Sequence, residues 1–99
     1  MILVGIDIGK NQHTFSILDK ETGEILSNPS VFNNNQQGFL LLIKKLSSYA
    51  KSELLIGMED TGHYHFALLK YLLDTHYTVA LISVCWLNRF QLKISRLMC

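Results

Sequence analysis

The sequence predicts an α/β fold in which a mixed sheet of about five strands carries helices on both faces. Two apolar runs bounded by turn residues, at 2–8 and 54–59, indicate strands that are buried in the sheet. Two further strand-like segments follow the first run, and segments with helical periodicity flank the second. The 99 residues, 48% of them hydrophobic, are enough for one domain with a substantial core.

The first two strands are predicted to form a hairpin. Residues 2–8 hold a single charge, Asp7, and the turn residues Gly9 to Asn11 follow it. Residues 12–18 then alternate between apolar and polar side chains, as expected of a strand that is half open to solvent. His13 lies on the apolar side of this strand, so we expect it to be a core histidine or one that supports a site, not a general base.

The third strand and the first helix follow from turn and capping residues. A short edge strand, interrupted near Pro29, is predicted from four apolar residues: Ile25, Leu26, Val31 and Phe32. Asn34, three residues before Gln37, then predicts the N-cap of a helix. This helix should bury one apolar stripe, formed by Phe39, Leu42, Ile43 and Leu46.

The remaining elements alternate between helix and strand. A second helix is predicted from about 63 to 75, with a buried stripe of Phe66, Leu69 and Leu73, and residues 78–83 predict another buried strand. From Trp86 onward the pattern is again helical, with a basic row formed by Arg89, Lys93 and Arg96. This row can hold a nucleic-acid backbone by charge, although a solvated helix face explains it equally well.

Both buried strands end in the same pattern of a glycine, an apolar residue and a carboxylate. Gly5 precedes Asp7 and Gly57 precedes Glu59, and the period of two places each glycine on the same face as its acid. If the strands are adjacent and parallel, the two acids lie side by side at the carboxyl ends, where ligands bind in open α/β sheets. Facing carboxylates repel unless they share a proton or a cation, which predicts a Mg²⁺ or Mn²⁺ site. The alternative is two unrelated turn acids.

Other candidate residues carry weaker signals. Lys10 follows Asp7 in the turn, where it can contact a DNA phosphate or be a solvated lysine. His63 and His65 are two residues apart, so on a helix they point in different directions and make a poor metal pair.

Composition narrows the class of protein. A formal net charge of +1 indicates neither a strongly basic nucleic-acid binder nor an acidic tail. Cys85 and Cys99 lack a metal-binding spacing, which favours free thiols in a reducing cytoplasm. The longest apolar run is far shorter than the ~20 residues of a membrane span. We therefore expect a cytoplasmic protein that has no membrane partner.

Two segments, Val4 to Lys10 with His13 and Gly57 to Tyr64, resemble the N-terminal motifs of the DEDD insertion-sequence transposases, the group that includes the Piv invertases. The resemblance spans nearly the whole chain and implies a RuvC-like fold of the ribonuclease H type. It also implies that the intact protein cleaves and exchanges DNA strands with the help of Mg²⁺. In some members of the family a structured RNA guides this reaction. We expect the intact protein to be a homo-oligomer. Asp7 would be the first acid of the catalytic tetrad and Glu59 the second.

The resemblance covers only part of the family's pattern. The third and fourth acids of the family come from an Asp-x-x-Asp motif, and a C-terminal domain carries a serine nucleophile. Neither feature occurs in these 99 residues, and Val84 replaces a proline that is common after the fifth strand. We therefore expect residues 1–99 to be the N-terminal domain of a transposase, truncated before the second pair of acids and inactive on its own.

Two other functions fit parts of the sequence. An actin-like phosphate-binding fold also places Asp and Gly at a strand end, but there small hydroxyl residues usually follow, and here Lys10 and Asn11 do. A non-enzymatic binding or assembly module would expose an apolar patch, for which Trp86 and Phe90 are candidates.

Overall fold

The computed structural model describes residues 1–59 and 62–82, which form a five-stranded sheet with two α-helices and a single 3-10 turn. In chain order the elements are β1 (Ile2–Asp7), β2 (Gln12–Asp19), β3 (Ile25–Asn33), α1 (Gln36–Leu46), the 3-10 turn (Lys51–Glu53), β4 (Leu54–Glu59), α2 (Phe66–Asp74) and β5 (Val79–Ile82). The strand order is β3-β2-β1-β4-β5, with β1 antiparallel to β2 and parallel to β4. The predicted mixed sheet of five strands is therefore confirmed.

The described core lies on one face of the sheet. Alternate residues of β1, β2 and β4 point into it, among them Ile6, Phe15 and Met58, all nearly or completely buried. Both helices pack on this same face, and they meet where the ring centroid of Phe39 in α1 lies 5.4 Å from that of Tyr71 in α2. The helix predicted from Trp86 lies outside the described residues. None of the described helices is long and apolar enough to cross a membrane.

β3 is the edge of the described sheet beyond β2, as predicted, but it is a continuous strand of nine residues. Ser30 pairs with Phe15, and Ser27 pairs with Ile17. The two residues between Ser27 and Ser30 on β3 therefore face the one residue between Phe15 and Ile17 on β2. This bulge includes Pro29, which has no N–H to offer a neighbouring strand and is tolerated at an edge. The predicted interruption is thus an irregularity of pairing within one longer strand.

The N-terminus of α1 corrects one prediction. Asn35, not Asn34, is the N-cap, and its side-chain oxygen accepts a hydrogen bond from the N–H of Gly38 at 2.8 Å. Each of three consecutive asparagines is chemically able to cap a helix, so the sequence alone does not select among them. The predicted stripe is confirmed, since Phe39, Leu42 and Leu46 are buried and Ile43 packs against them.

The position of α2 corrects another prediction. The helix begins at Phe66 and not near His63, because a turn containing Gly62, with a φ of 58°, precedes it. Leu68 and Leu72 are its buried residues, whereas two members of the predicted stripe, Phe66 and Leu73, are 57% and 52% exposed. α2 is apolar on most sides, so its sequence is compatible with more than one buried stripe.

Candidate metal site

The structure brings the two predicted acids together at one edge of the sheet. β1 and β4 pair in parallel, with Gly5 opposite Gly57 and Ile6 opposite Met58. Asp7 and Glu59 occupy the next position of each strand, and each is the last residue of its strand. The carboxyl ends of parallel strands meet at the same edge, so the two carboxylates are neighbours across one strand spacing.

A row of small side chains crosses the sheet beside these carboxylates. Gly5 pairs with Ser16 on β2 and with Gly57 on β4, and Gly57 pairs with Ala80 on β5. Because strand residues alternate between faces, this row shares its face with Asp7 and Glu59 and is opposite to the core. The side chains on the sheet surface next to the acids are therefore small, which is typical of a site where another backbone or a ligand approaches closely.

The two acids have different surroundings. Asp7 is exposed to solvent, whereas Glu59 is half-buried. Burial raises the pKa of the Glu59 carboxyl above its ordinary value, and the negative charge of Asp7 raises it further. A second negative charge is thus unfavourable at this edge of the sheet, and a cation there would offset the repulsion.

The turn after β1 is fixed by one glycine and one histidine. The N–H of Gly9 donates to Nδ1 of His13 at 3.2 Å. A Cβ atom on residue 9 would lie 2.3 Å from the carbonyl oxygen of Gln12, which is too close for any side chain to fit without a backbone shift. The turn therefore requires glycine, and it sets the position of Lys10 three residues beyond Asp7.

Among the predicted nucleic-acid contacts, Lys10 is exposed in this turn, on the same edge of the sheet as Asp7. The predicted basic row of Arg89, Lys93 and Arg96 lies outside the described residues.

His13 is a core histidine, as predicted. It is 1% exposed, and its ring packs edge-on against Phe32 with centroids 5.3 Å apart. Burial lowers its pKa, while the nearby side chain of Asn34 and the charge of Asp7 act in the opposite direction and raise it. His13 thus lies between the hydrophobic core and the acid-bearing edge.

Asn34 is a residue of this edge that the sequence did not reveal. Its side-chain nitrogen Nδ2 donates to the carbonyl oxygens of Lys10 and Tyr64, at 3.1 and 3.3 Å. These two carbonyls belong to the loops that follow β1 and β4. No local pattern signals such a contact, because it joins three segments that are distant in the sequence.

The two neighbouring histidines do not form a metal site. They lie in the turn before α2 and not on the helix on which the prediction of diverging side chains was based; His63 is exposed and His65 is completely buried. Within residues 1–59 and 62–82, no group of three or more His, Cys, Asp or Glu side chains lies close enough to hold a metal ion. Asp7 and Glu59 are therefore a pair of acids with no third His, Cys, Asp or Glu side chain grouped with them in the described part of the chain.

A separate cavity of about 440 Å³ lies between β3 and α1. Its lining is largely apolar, with Phe15 and Leu42 at its base and Lys44 and Lys45 beside it. Phe15 points to the core face of the sheet, so this cavity is on the face away from the two acids and is not part of their site.

Comparison with known proteins places these observations in a family. A model of the DEDD transposase family of the IS110 group, described as transposase, matches residues 4–96. No curated protein matches the sequence.

Among solved structures, RuvC of T. thermophilus in complex with a Holliday junction substrate is similar to this chain, with a TM-score of 0.61. The match has 12% sequence identity and covers 86% of this chain and 66% of RuvC. The type II variant of the Aquifex aeolicus Ppx/GppA phosphatase has a TM-score of 0.42 and 14% identity, over 85% of this chain and 36% of the phosphatase. This chain thus spans less than two thirds of RuvC. The likeness to RuvC confirms the predicted ribonuclease H-like fold.

Proposed function

Since the chain belongs to the DEDD transposase family of the IS110 group, we propose that Asp7 and Glu59 hold a divalent metal ion, Mg²⁺ or Mn²⁺, for the cleavage and exchange of DNA strands. The observation that carries this proposal is the parallel pairing of β1 with β4, in which Gly5 faces Gly57. That register sets both carboxylates at one edge of the sheet, where open α/β sheets bind their ligands.

The donor set fits a hard cation. Carboxylate oxygens are the ligands that Mg²⁺ and Mn²⁺ prefer, and Mg²⁺ is commonly held by one or two carboxylates while it keeps several waters. The pKa of Glu59 is raised first by burial and second by the charge of Asp7, and a cation beside the two carboxylates would offset both effects. The two carboxylates therefore fit a metal site in which the protein supplies two ligands and water or substrate supplies the others.

When bound, the metal ion activates the attacking oxygen and stabilises the charge that develops on the phosphate. The chain's own residues position the reactants: Asp7 and Glu59 supply oxygen ligands at the spacing of neighbouring strands, about 4.8 Å. Lys10, in the adjoining turn, holds a DNA phosphate next to them. Asp74 is the last carboxylate side chain in residues 1–99, so no Asp-x-x-Asp motif follows β5 here to add to these two acids.

The proposed partner is DNA. RuvC, whose fold the chain shares, was solved with a Holliday junction, and this supports a DNA substrate of the same chemical class. The same proposal includes a guide RNA and self-association of the intact protein. It also includes a contact between the nucleic-acid backbone and the basic row formed by Arg89, Lys93 and Arg96. They rest on the family resemblance and on charge.

The metal site can be located by titrating the ¹⁵N-labelled chain with Mn²⁺ and following the broadening of its amide signals. We expect residues around Asp7 and Glu59 to broaden first, because paramagnetic broadening falls steeply with distance from the ion. Glu59→Gln should abolish this pattern. Its matched control is Glu53→Gln, which changes an exposed glutamate at the opposite end of β4 and should leave the pattern unchanged. Broadening centred on the acidic turn between β2 and β3, residues 19–24, would contradict the proposal.

A further inference from the structure

Asn34 lies in the two-residue connection between β3 and α1, and it contacts the loops that follow both acid-bearing strands. Its Nδ2 donates to the carbonyl oxygens of Lys10 and Tyr64, three residues beyond Asp7 and five beyond Glu59. We propose that Asn34 is a positioning residue, which ties these two loops together and so fixes the separation of the two carboxylates. This inference rests on the proposed function.

The contacts determine the orientation of the Asn34 amide. Both partners of Nδ2 are carbonyl oxygens, which only accept hydrogen bonds, so the NH₂ group must face them. A flipped amide would set oxygen against oxygen. The backbone N–H of Asn34 adds a further bond to the same turn, donating to the carbonyl oxygen of Asn11 at 2.8 Å. Asn34 therefore makes three hydrogen bonds to the two loops, all to main-chain oxygens.

His13 lies near the other end of the amide. Its Nδ1 accepts the N–H of Gly9, so the neutral ring carries its proton on Nε2. That nitrogen and Oδ1 of Asn34 are both buried, and neither has a hydrogen-bond partner in the described part of the chain. The two are complementary as donor and acceptor, and the nearby Asn34 side chain raises the pKa of His13. His13 thus holds the turn after β1 through Gly9 and lies beside the Asn34 side chain without a hydrogen bond to it.

The neighbours of Asn34 have other contacts, so the three consecutive asparagines are not interchangeable. Asn33 accepts a hydrogen bond from the side chain of Gln12, and Asn35 caps α1. Among the contacts of the described residues, only those of the middle asparagine connect the loop after β1 with the loop after β4. An Asn34 substitution therefore removes the tie and leaves the helix cap in place.

The test is Asn34→Ala in the full 99-residue chain, with Asn28→Ala as a control of identical chemistry at an exposed position of β3. We expect Mn²⁺ affinity to fall several-fold, towards the roughly tenfold loss typical of residues that orient metal ligands. Amide exchange in the loops at 8–11 and 62–65 should become about three- to tenfold faster, as the loss of one side-chain hydrogen bond in each loop implies. Asn28→Ala should change neither quantity. Unchanged affinity and exchange in Asn34→Ala would overturn the inference.

Two further measurements keep the outcomes distinct. If the unmodified chain binds no Mn²⁺, the proposed function fails, while loop exchange still tests whether Asn34 ties the loops. If Asn34→Ala does not fold, nuclear Overhauser effects in the unmodified chain decide. The side-chain amide protons of Asn34 should then give cross-peaks to both Lys10–Asn11 and Tyr64–His65, and cross-peaks to only one loop would overturn the inference.

Discussion

Burial and a neighbouring acid make the negative charge of Glu59 unfavourable in the folded chain. Its pKa is raised by burial and by Asp7, so the folded state favours the protonated carboxyl more than the unfolded state does. The stability that protonation contributes is fully present below the ordinary value of 4.5 and is lost as the pH rises through the raised pKa.

We expect Glu59→Gln to be more stable than the unmodified chain at pH 7 and equally stable below the ordinary pKa of 4.5. Urea unfolding at a series of pH values measures this difference. Glu53→Gln, in the exposed 3-10 turn before β4, should not change the pH dependence. A Glu59→Gln chain that is less stable at neutral pH would mean that the carboxylate is already compensated by a positive charge in the folded protein.

Individual site residues differed in how far the sequence could predict them. Asp7 and Glu59 follow from strand periodicity, because a glycine two residues before each acid must share its face. The placement of His13 in the core follows from the same periodicity. Asn34 could not be predicted as a tie between loops, since its partners lie 24 and 30 residues away and offer only backbone oxygens.

At the scale of elements, α2 is held by the side chains that it buries against the sheet. Leu72 is completely buried, while the adjacent Leu73 is 52% exposed. Leu72→Ala should therefore lower the free energy of unfolding by about 2–5 kcal/mol, because it removes buried methyl groups and leaves a cavity. Leu73→Ala, the same chemical change one position along, should cost no more than about 0.5 kcal/mol. Urea unfolding of both variants makes the comparison, and equal losses would contradict the described orientation of α2.

The buried stripe was predictable for α1 and not for α2. In α1 the spacing of Phe39, Leu42 and Leu46 matches the buried face, although Leu40 and Leu41 are also apolar and are exposed. In α2 apolar residues continue around the helix, so burial depends on where the helix starts. The turn through Gly62 sets the residue at which α2 begins and so determines which of its apolar residues face the sheet. This depends on the packing of the whole fold, which a local sequence pattern does not predict.

At the scale of the whole molecule, the order of strands decides whether a site exists. The sequence predicted two strands that end in acids, but their adjacency depended on β4 pairing with β1 and not with an edge strand. The parallel register confirms that adjacency. Strand order is set by long-range packing of helices on the sheet, which no local pattern encodes.

Two acids are too few to clamp both the attacking and the leaving oxygen of a phosphate between two ions. We therefore expect the 99-residue chain to leave four-way-junction and single-stranded DNA uncut in Mg²⁺ or Mn²⁺. A nuclease assay beside the Asp7→Asn variant tests this. Cleavage that disappears with Asp7 would mean that the chain is catalytically sufficient without further acids.

The central claim is that Asp7 and Glu59 share one cation, and Mn²⁺ affinity measured by electron paramagnetic resonance tests it most directly. The comparison needs the unmodified chain, Asp7→Asn, Glu59→Gln and the double variant. A shared site predicts that each single change lowers affinity by roughly tenfold or more and that the double variant is little weaker than either, because ligands of one ion are strongly coupled. Independent, additive losses, or losses no larger than that of Glu53→Gln, would contradict a shared metal site.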